Sequence, residues 1–470
     1  MRQDESAVCK VRQWRVLSGF ALVVACTGAY SEVTVDADRV SEVVRKQLES
    51  LEVPAASVAV VADGRIVFTR AFGTDPGMQR PVRAEMRFPI ASISKQFCAA
   101  AILLLQEEGK LSLDDPAGRY VADLGPAADV TLRQLLSHTS GLRDYWPQDY
   151  VFPRMMQPIS RQELVSTWAA KPLDFPPGTE RQYSNTGYVV AGMVVEKVTG
   201  EALTHFLRRR IFEPLHMDSV RDVDAEGLAA DDVRAVQRAA LGPLRLADPI
   251  GRGWLFGAAE LSMTAADLAR WDQAMVDERI LSPASWREMH AATRLESGWS
   301  AQYGLGVGVI TDSLGRRVIS HSGGALGFTT RNRVFPESRS AIVVLTNSDS
   351  ADAATSITDE LTPLLFDALE PLNASRREEA RQVLERLRKG EIDPGRFTPN
   401  ALAWFSPQTL RDFATSLTVL GPLRTIKLES RQTRGGMEYR EYSVQFDSRK
   451  LTLTTRSLPD GRLEQFMLGL

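Results

Sequence analysis

The strand-forming segments of this chain fall into two groups far apart in the sequence, and that separation limits what it can fold into. Ala56–Val61 and Arg65–Phe68 are short β-branched runs joined by Asp63-Gly64, the composition of a tight hairpin turn. Comparable runs return only at Gly306–Thr311, Arg317–Ser322, Thr329–Phe335 and Ser340–Asn347, and residues 69–305 read mostly as helix and loop. If the early and late strands share one antiparallel sheet, the middle is an excursion that closes on itself and packs beside the sheet as an all-helical lobe. A cleft then lies at the seam, where binding sites tend to sit. The expected fold is α+β, with helices at Asp36–Leu51 and Ala351–Leu369 flanking the sheet.

A chain of 470 residues with 44% apolar and 24% charged residues can bury a large core and has room for more than one domain. After residue 372 the composition shifts to a charged helical stretch, Ser375–Lys389. A short helix at Pro407–Leu417 follows, with strands near Arg424–Glu429, Glu438–Phe446 and Leu451–Arg456 and a last one ending at Gln465-Phe-Met467. Residues 32–372 are therefore expected to form the main domain and 373–470 a small α+β domain of its own.

Residues 1–31 differ from both. Lys10, Arg12 and Arg15 precede an apolar stretch, Val16–Ala29, too short to span a bilayer comfortably, which is the pattern of a secretory signal peptide. The chain is thus expected to be exported, to a periplasmic or extracellular location. Val23-Val-Ala-Cys26 resembles a lipoprotein processing site, which would attach the chain to a membrane through a lipidated Cys26. Thr27-Gly-Ala29 or Ala29-Tyr-Ser31 suits ordinary cleavage, and an uncleaved anchor is the third option.

The balance of 56 basic and 59 acidic residues, net charge -3, carries no nucleic-acid footprint, so the expected partner is a small molecule or a peptide substrate. Oligomeric state is not legible. Of three cysteines, Cys9 and Cys26 lie in the leader and Cys98 sits in an apolar run without a basic neighbour, which makes it a core residue. Five histidines show no metal-ligand spacing, and no metal or cofactor is expected.

Three short elements carry chemistry. In Ala91-Ser-Ile-Ser-Lys95 a serine precedes a lysine by one helical turn, at the head of an apolar run to Leu105. A serine hydroxyl needs a base within hydrogen-bond reach and donors for the oxyanion that forms. Lys95 meets the first need if burial drops its pKa by roughly three units; otherwise it stays charged and lowers the pKa of a nearby phenol. Tyr183-Ser-Asn185, after the Pro-Gly loop at 176–178, offers a phenol to shuttle a proton and an amide to hold Lys95 and a substrate carbonyl. His321-Ser-Gly-Gly324, at the end of a strand, offers backbone N–H groups that a ligand can approach closely.

Together these elements resemble the class C branch of the β-lactamases and penicillin-binding proteins, whose relatives include D,D-peptidases, D-aminopeptidases and esterases. Supporting matches are Leu135-Leu-Ser-His-Thr-Ser-Gly-Leu142, Ala259–Leu268 and Tyr303-Gly-Leu-Gly-Val-Gly308. The resemblance spans about residues 36–370. It implies Ser92 as nucleophile of an acyl-enzyme, Lys95 and Tyr183 as coupled base and acid, and the backbone N–H groups of Ser92 and Gly324 as oxyanion hole. Asn185, His321, Ser322 and Gly323 would bind substrate, and His138 would be structural. The branch's β-lactamases carry Lys-Thr-Gly where this chain has His321-Ser-Gly323, which replaces a permanent cation by a mostly neutral ring. Esters or D-amino-acid peptides are therefore the expected substrates, ahead of β-lactam antibiotics. The alternatives are a non-catalytic or slow-turnover penicillin or peptidoglycan sensor and a true β-lactamase. The order of the C-terminal elements is similar to cystatin-like or nuclear-transport-factor-like half-barrels.

Overall fold

Strand β1 (Ala55–Ala62) is buried at every residue, which requires a sheet covered on both faces. It pairs antiparallel with β2 (Arg65–Asp75) through the Asp63-Gly64 turn. The late strands are β3 (Gly308–Thr311), β4 (Arg317–Ala325), β5 (Phe328–Phe335) and β6 (Ser340–Thr346). β6 returns to β1 with Ala56 opposite Thr346 and Val60 opposite Ile342, so the two groups of strands do share one sheet. From edge to edge it runs Arg80–Pro81, β2, β1, β6, β5, β4, β3. The computed structural model describes residues 33–146 and 153–469. The leader read from residues 1–31 lies outside them, and no helix among the described residues is long and apolar enough to cross a membrane.

Five helices position the site: α1 (Ala37–Ser50), α2 (Ser94–Glu107), α3 (Asn185–Thr199), α4 (Ala265–Val276) and α5 (Ala353–Leu369). Asp36 and Thr264 cap α1 and α4 by accepting from backbone N–H groups of the first turn. Helices α1 and α5 cover one face of the sheet, where Val44 and Leu361 pack with Val58, Ile342 and Val344. The other face carries α2 and α4 and continues into the intervening lobe as one large core. Helix α2 is buried at every residue from Ser94 to Leu105, so it runs through the centre of the molecule rather than over its surface.

The intervening lobe holds, besides its helices, a three-stranded sheet of Phe88–Pro89, Leu261–Met263 and Arg221–Asp222 and a hairpin of Val236–Gln237 with Arg245–Leu246. The sequence reading contains neither, because strands of two or three residues are too short to show an alternation.

From Val33 onward the chain is one compact unit. Within it, helices α6 (Pro371–Leu387) and α7 (Pro407–Thr418) pack on a meander of β7 (Leu423–Arg434), β8 (Met437–Phe446), β9 (Lys450–Ser457) and β10 (Leu463–Gly469), around a core of their own that includes Leu384, Val444 and Phe466. Proline at the first position of α6 starts that helix four residues before the expected Ser375, and the boundary expected at 372/373 falls within its first turn.

Candidate active site

The chain enters α2 through a forced turn. Ala91 adopts φ 48°, the left-handed region that a side chain disfavours, and Ala91–Ile93 form a 3-10 turn before the helix starts at Ser94. The turn is clamped on two sides. The Ile90 N–H donates to Leu261 O at 2.9 Å and the Leu261 N–H donates to Ser94 Oγ at 3.1 Å, while Thr330 Oγ1 on β5 donates to Ile90 O at 2.9 Å. Gly323 makes this approach possible: a Cβ there would lie 2.2 Å from Ile90 O and 2.3 Å from Thr330 Oγ1. Gly306, at φ 75°, does the same for α2, since a Cβ would stand 2.8 Å from Lys95 O. Ser92 is left half-buried at the wall of a cavity of about 440 Å³.

Lys95 is fully buried, and its Nζ lies 3.1 Å from Ser92 Oγ, 2.7 Å from Asn185 Oδ1 and 2.9 Å from Ala258 O. Burial lowers its pKa to about 7 against the opposing pull of Asp144 and Glu260. The geometry then dictates how the neutral amine is held. Asn185 Oδ1 and Ala258 O can only accept, so they take its two N–H bonds, and the lone pair is left facing the Ser92 hydroxyl. That is the arrangement of a base.

Tyr183 lies on the same side, its ring centroid 4.9 Å from Lys95 Nζ. Burial raises its phenol well above the usual value, a hydrogen bond with Ser92 opposing. Of the two options open in the sequence, these shifts favour a neutral Lys95 amine beside a protonated Tyr183 over a phenolate. His138 stacks on Tyr183 with centroids 4.1 Å apart, and its Nδ1 accepts from Ser184 N at 3.1 Å. It holds the tyrosine loop, and none of its contacts among the described residues reaches Ser92.

Asn185 is the first residue of α3, and its orientation is fixed from both ends: Oδ1 faces Lys95, and Nδ2 donates to both oxygens of Asp144 at 3.2 and 3.1 Å. The amide nitrogen that the sequence reading reserves for a substrate carbonyl is thus drawn toward Asp144, a residue that reading does not include.

Beyond Ser320, β4 pairs with no described strand on its β3 side, and its residues Ser322 and Gly324 are exposed at the cavity. His321 does not face it with a free nitrogen. Its Nδ1 donates to Ser322 O at 2.6 Å, which fixes the tautomer, and its Nε2 accepts from Tyr303 Oη at 2.7 Å. Burial lowers its pKa to about 3. The ring is neutral and internally satisfied.

A model of the family described as Beta-lactamase matches residues 40–362. The chain belongs to this family. Penicillin-binding protein 4* of Bacillus subtilis is 28% identical over 322 residues, 62% of this chain and 68% of that protein. A D-aminopeptidase of Cereibacter sphaeroides is 31% identical over 310 residues, 64% of this chain and 58% of that enzyme, so the chain spans less than two thirds of the aminopeptidase. The octameric penicillin-binding protein homologue from Pyrococcus abyssi shares the fold with a TM-score of 0.61 at 22% identity, covering 92% of this chain and 99% of that one.

As a serine hydrolase of the beta-lactamase family, the chain brings Ser92, Tyr183, Asn185, His321, Ser322 and Gly324 to the wall of one cavity, with Lys95 and Gly323 buried behind it. A buried polar cluster supports the arrangement: Gln96 Nε2 donates to Asn332 Oδ1, Asn332 Nδ2 donates to Asp272, and the His321 N–H donates to Asn332 Oδ1, tying α2, α4 and β4 together. The residues missed from sequence are Asp144, Gln96, Asn332, Asp272 and Arg181. Gln96, next to Lys95, Asp144, two positions after Leu142, and Arg181, two positions before Tyr183, stand beside motifs, whereas Asn332 and Asp272 do not. Among the described residues no group of His, Cys, Asp and Glu is placed to hold a metal ion. A second hollow of about 1040 Å³ shares Trp146, Gly324 and Ala325 with the first, so the cleft continues past the nucleophile.

Proposed function

We propose that this protein is an exported hydrolase of esters or D-amino-acid amides and peptides that works through an acyl-enzyme on Ser92. The observation that carries the reading is the buried Lys95 amine 3.1 Å from the Ser92 hydroxyl, with burial lowering its pKa to about 7. Lys95 takes the hydroxyl proton as Ser92 Oγ bonds to the substrate carbonyl carbon, and the oxyanion is received by the backbone N–H groups of Ser92 and Gly324. The proton passes through Tyr183 to the leaving group as the carbonyl–leaving-group bond breaks, and the same residues take a proton from water when it hydrolyses the ester. The named activities of the relatives, a D-aminopeptidase and a penicillin-binding protein, support acyl transfer from D-amino-acid compounds. The basic-then-apolar stretch at residues 10–29 supports export.

The test is a substrate panel on the mature protein: a short-chain aryl ester, a chromogenic cephalosporin and a D-Ala-D-Ala peptide. Rapid steady-state ester turnover, lost in Ser92→Ala, with slow cephalosporin turnover is expected, because His321, neutral and hydrogen-bonded at both ring nitrogens, leaves the β4 motif without the cation that Lys-Thr-Gly would hold there. Ester turnover unchanged in Ser92→Ala contradicts the reading, and one acylation without release would make the chain a sensor.

A further inference from the structure

The described residues lining the Ser92 cavity include two arginines, Arg181 and Arg331, and no aspartate or glutamate. The nearest carboxylate of the machinery, Asp144, sits behind Asn185 and is engaged by it. Arg331 is half-buried and donates to Thr355 Oγ1 at 2.8 Å, on the α5 side of the sheet. Arg181 is different. It is exposed, its guanidinium lies 5.0 Å from the centroid of the Tyr303 ring, and no described residue forms a hydrogen bond or ion pair with it. A guanidinium laid on an aromatic face keeps its N–H edge free in the ring plane, the geometry that receives a carboxylate side-on. The stacking also limits the side chain's freedom before a ligand arrives. Tyr303 is the residue that donates to His321, so Arg181 stands against the very motif whose ring can offer neither a charge nor a free N–H.

We propose that Arg181 is the anion-recognising residue of this site, and that the hydrolase selects acyl donors carrying a carboxylate and discriminates against donors carrying a free ammonium group. This rests on the Ser92 acyl-enzyme reading above. It also separates the chain from its aminopeptidase relatives in substrate charge, since among the described lining residues a free amino terminus would meet the Arg181 guanidinium and no carboxylate. The carboxylate can sit on the acyl portion or on the leaving group, and the two are resolved by substrate choice.

The experiment compares kcat and KM for 4-nitrophenyl butyrate, the 4-nitrophenyl monoester of glutaric acid and D-alanine 4-nitroanilide. An N-acyl-D-Ala-D-Ala peptide is run beside its C-terminal amide, and all are repeated in Arg181→Gln and Arg181→Lys. The expected result is a preference for the glutarate ester over the butyrate, for the free-acid peptide over its amide, or for both, with the nitroanilide poorest. A charge-assisted contact of this kind predicts a loss of roughly tenfold to a hundredfold in kcat/KM in Arg181→Gln, mainly through KM and only for the anionic donors. Arg181→Lys should restore part of it, and added salt should weaken the preference in the wild type. Equal losses on neutral and anionic esters, or a wild type that prefers the nitroanilide, would overturn the proposal. Neutral-ester turnover that depends on Ser92 but shows no anion preference would defeat this inference alone, whereas turnover independent of Ser92 would defeat the hydrolase reading beneath it.

Discussion

Burial pushes Lys95 toward the neutral amine while Asp144 and Glu260 pull it back, and with Lys95 as the proposed base the balance near pH 7 is expected to set the pH dependence of the reaction. The base form is lost as pH falls, so kcat/KM on a neutral ester should drop about tenfold per unit below pH 7 and level off above it. No second inflection is expected from Tyr183, whose raised phenol stays protonated through that range, or from His321, neutral above about 3. A profile flat from pH 5 to 9 would remove Lys95 as the base. Replacing Asp144 by Asn takes away an anion that stabilises the ammonium form and should move the acid limb to lower pH. Tyr183→Phe keeps the stacking on His138 but removes the shuttle, for an expected loss of roughly a hundredfold to ten-thousandfold in kcat with little change in melting temperature.

Between elements, the decisive contact is the 3-10 turn at Ala91–Ile93 against β4. Gly323→Ala drives a methyl into Ile90 O and Thr330 Oγ1, and the turn must give way with Ser92 on it; the expectation is a loss of about 1–3 kcal/mol in stability and most of the activity. Gly324→Ala meets no atom within 4 Å and should retain most of both. Matched denaturation and turnover measurements on the two variants check this, and equal effects would contradict it. The same contact shows what could be read in advance. The order Ser92, Tyr183, His321 and the two-part sheet were legible because each is carried by a contiguous run with its own spacing or alternation. Asp144, Asn332 and Asp272 were not, because each acts through a partner brought to it only by the folded chain: Asn185 for the first, Gln96 and Asn332 for the others. Neither the φ of Ala91 nor the internal saturation of the His321 ring leaves a trace in composition.

Across the whole molecule, the cores behind the sheet and the lobe end with α5, and the C-terminal helices and meander close a core of their own. The described ion pairs at the seam are the two-pronged, largely buried Arg377 with Asp367 and the more exposed Lys427 with Glu360 and Arg431 with Glu370. The exposed two each contribute at most about 1 kcal/mol. A chain ending at residue 372 should therefore keep a folded Ser92 site and most of its turnover of a neutral ester, with a lower melting temperature; total loss of folded protein would tie the C-terminal part to the fold of the hydrolase itself. All of these outcomes depend on Ser92 being the atom that attacks. Intact mass and peptide mapping after brief incubation with an aryl ester, quenched in acid, test that most directly. The account predicts one acyl increment, on the peptide holding Ser92, absent in Ser92→Ala and depleted in Lys95→Met. An increment on another residue, or one that survives Ser92→Ala, would contradict it.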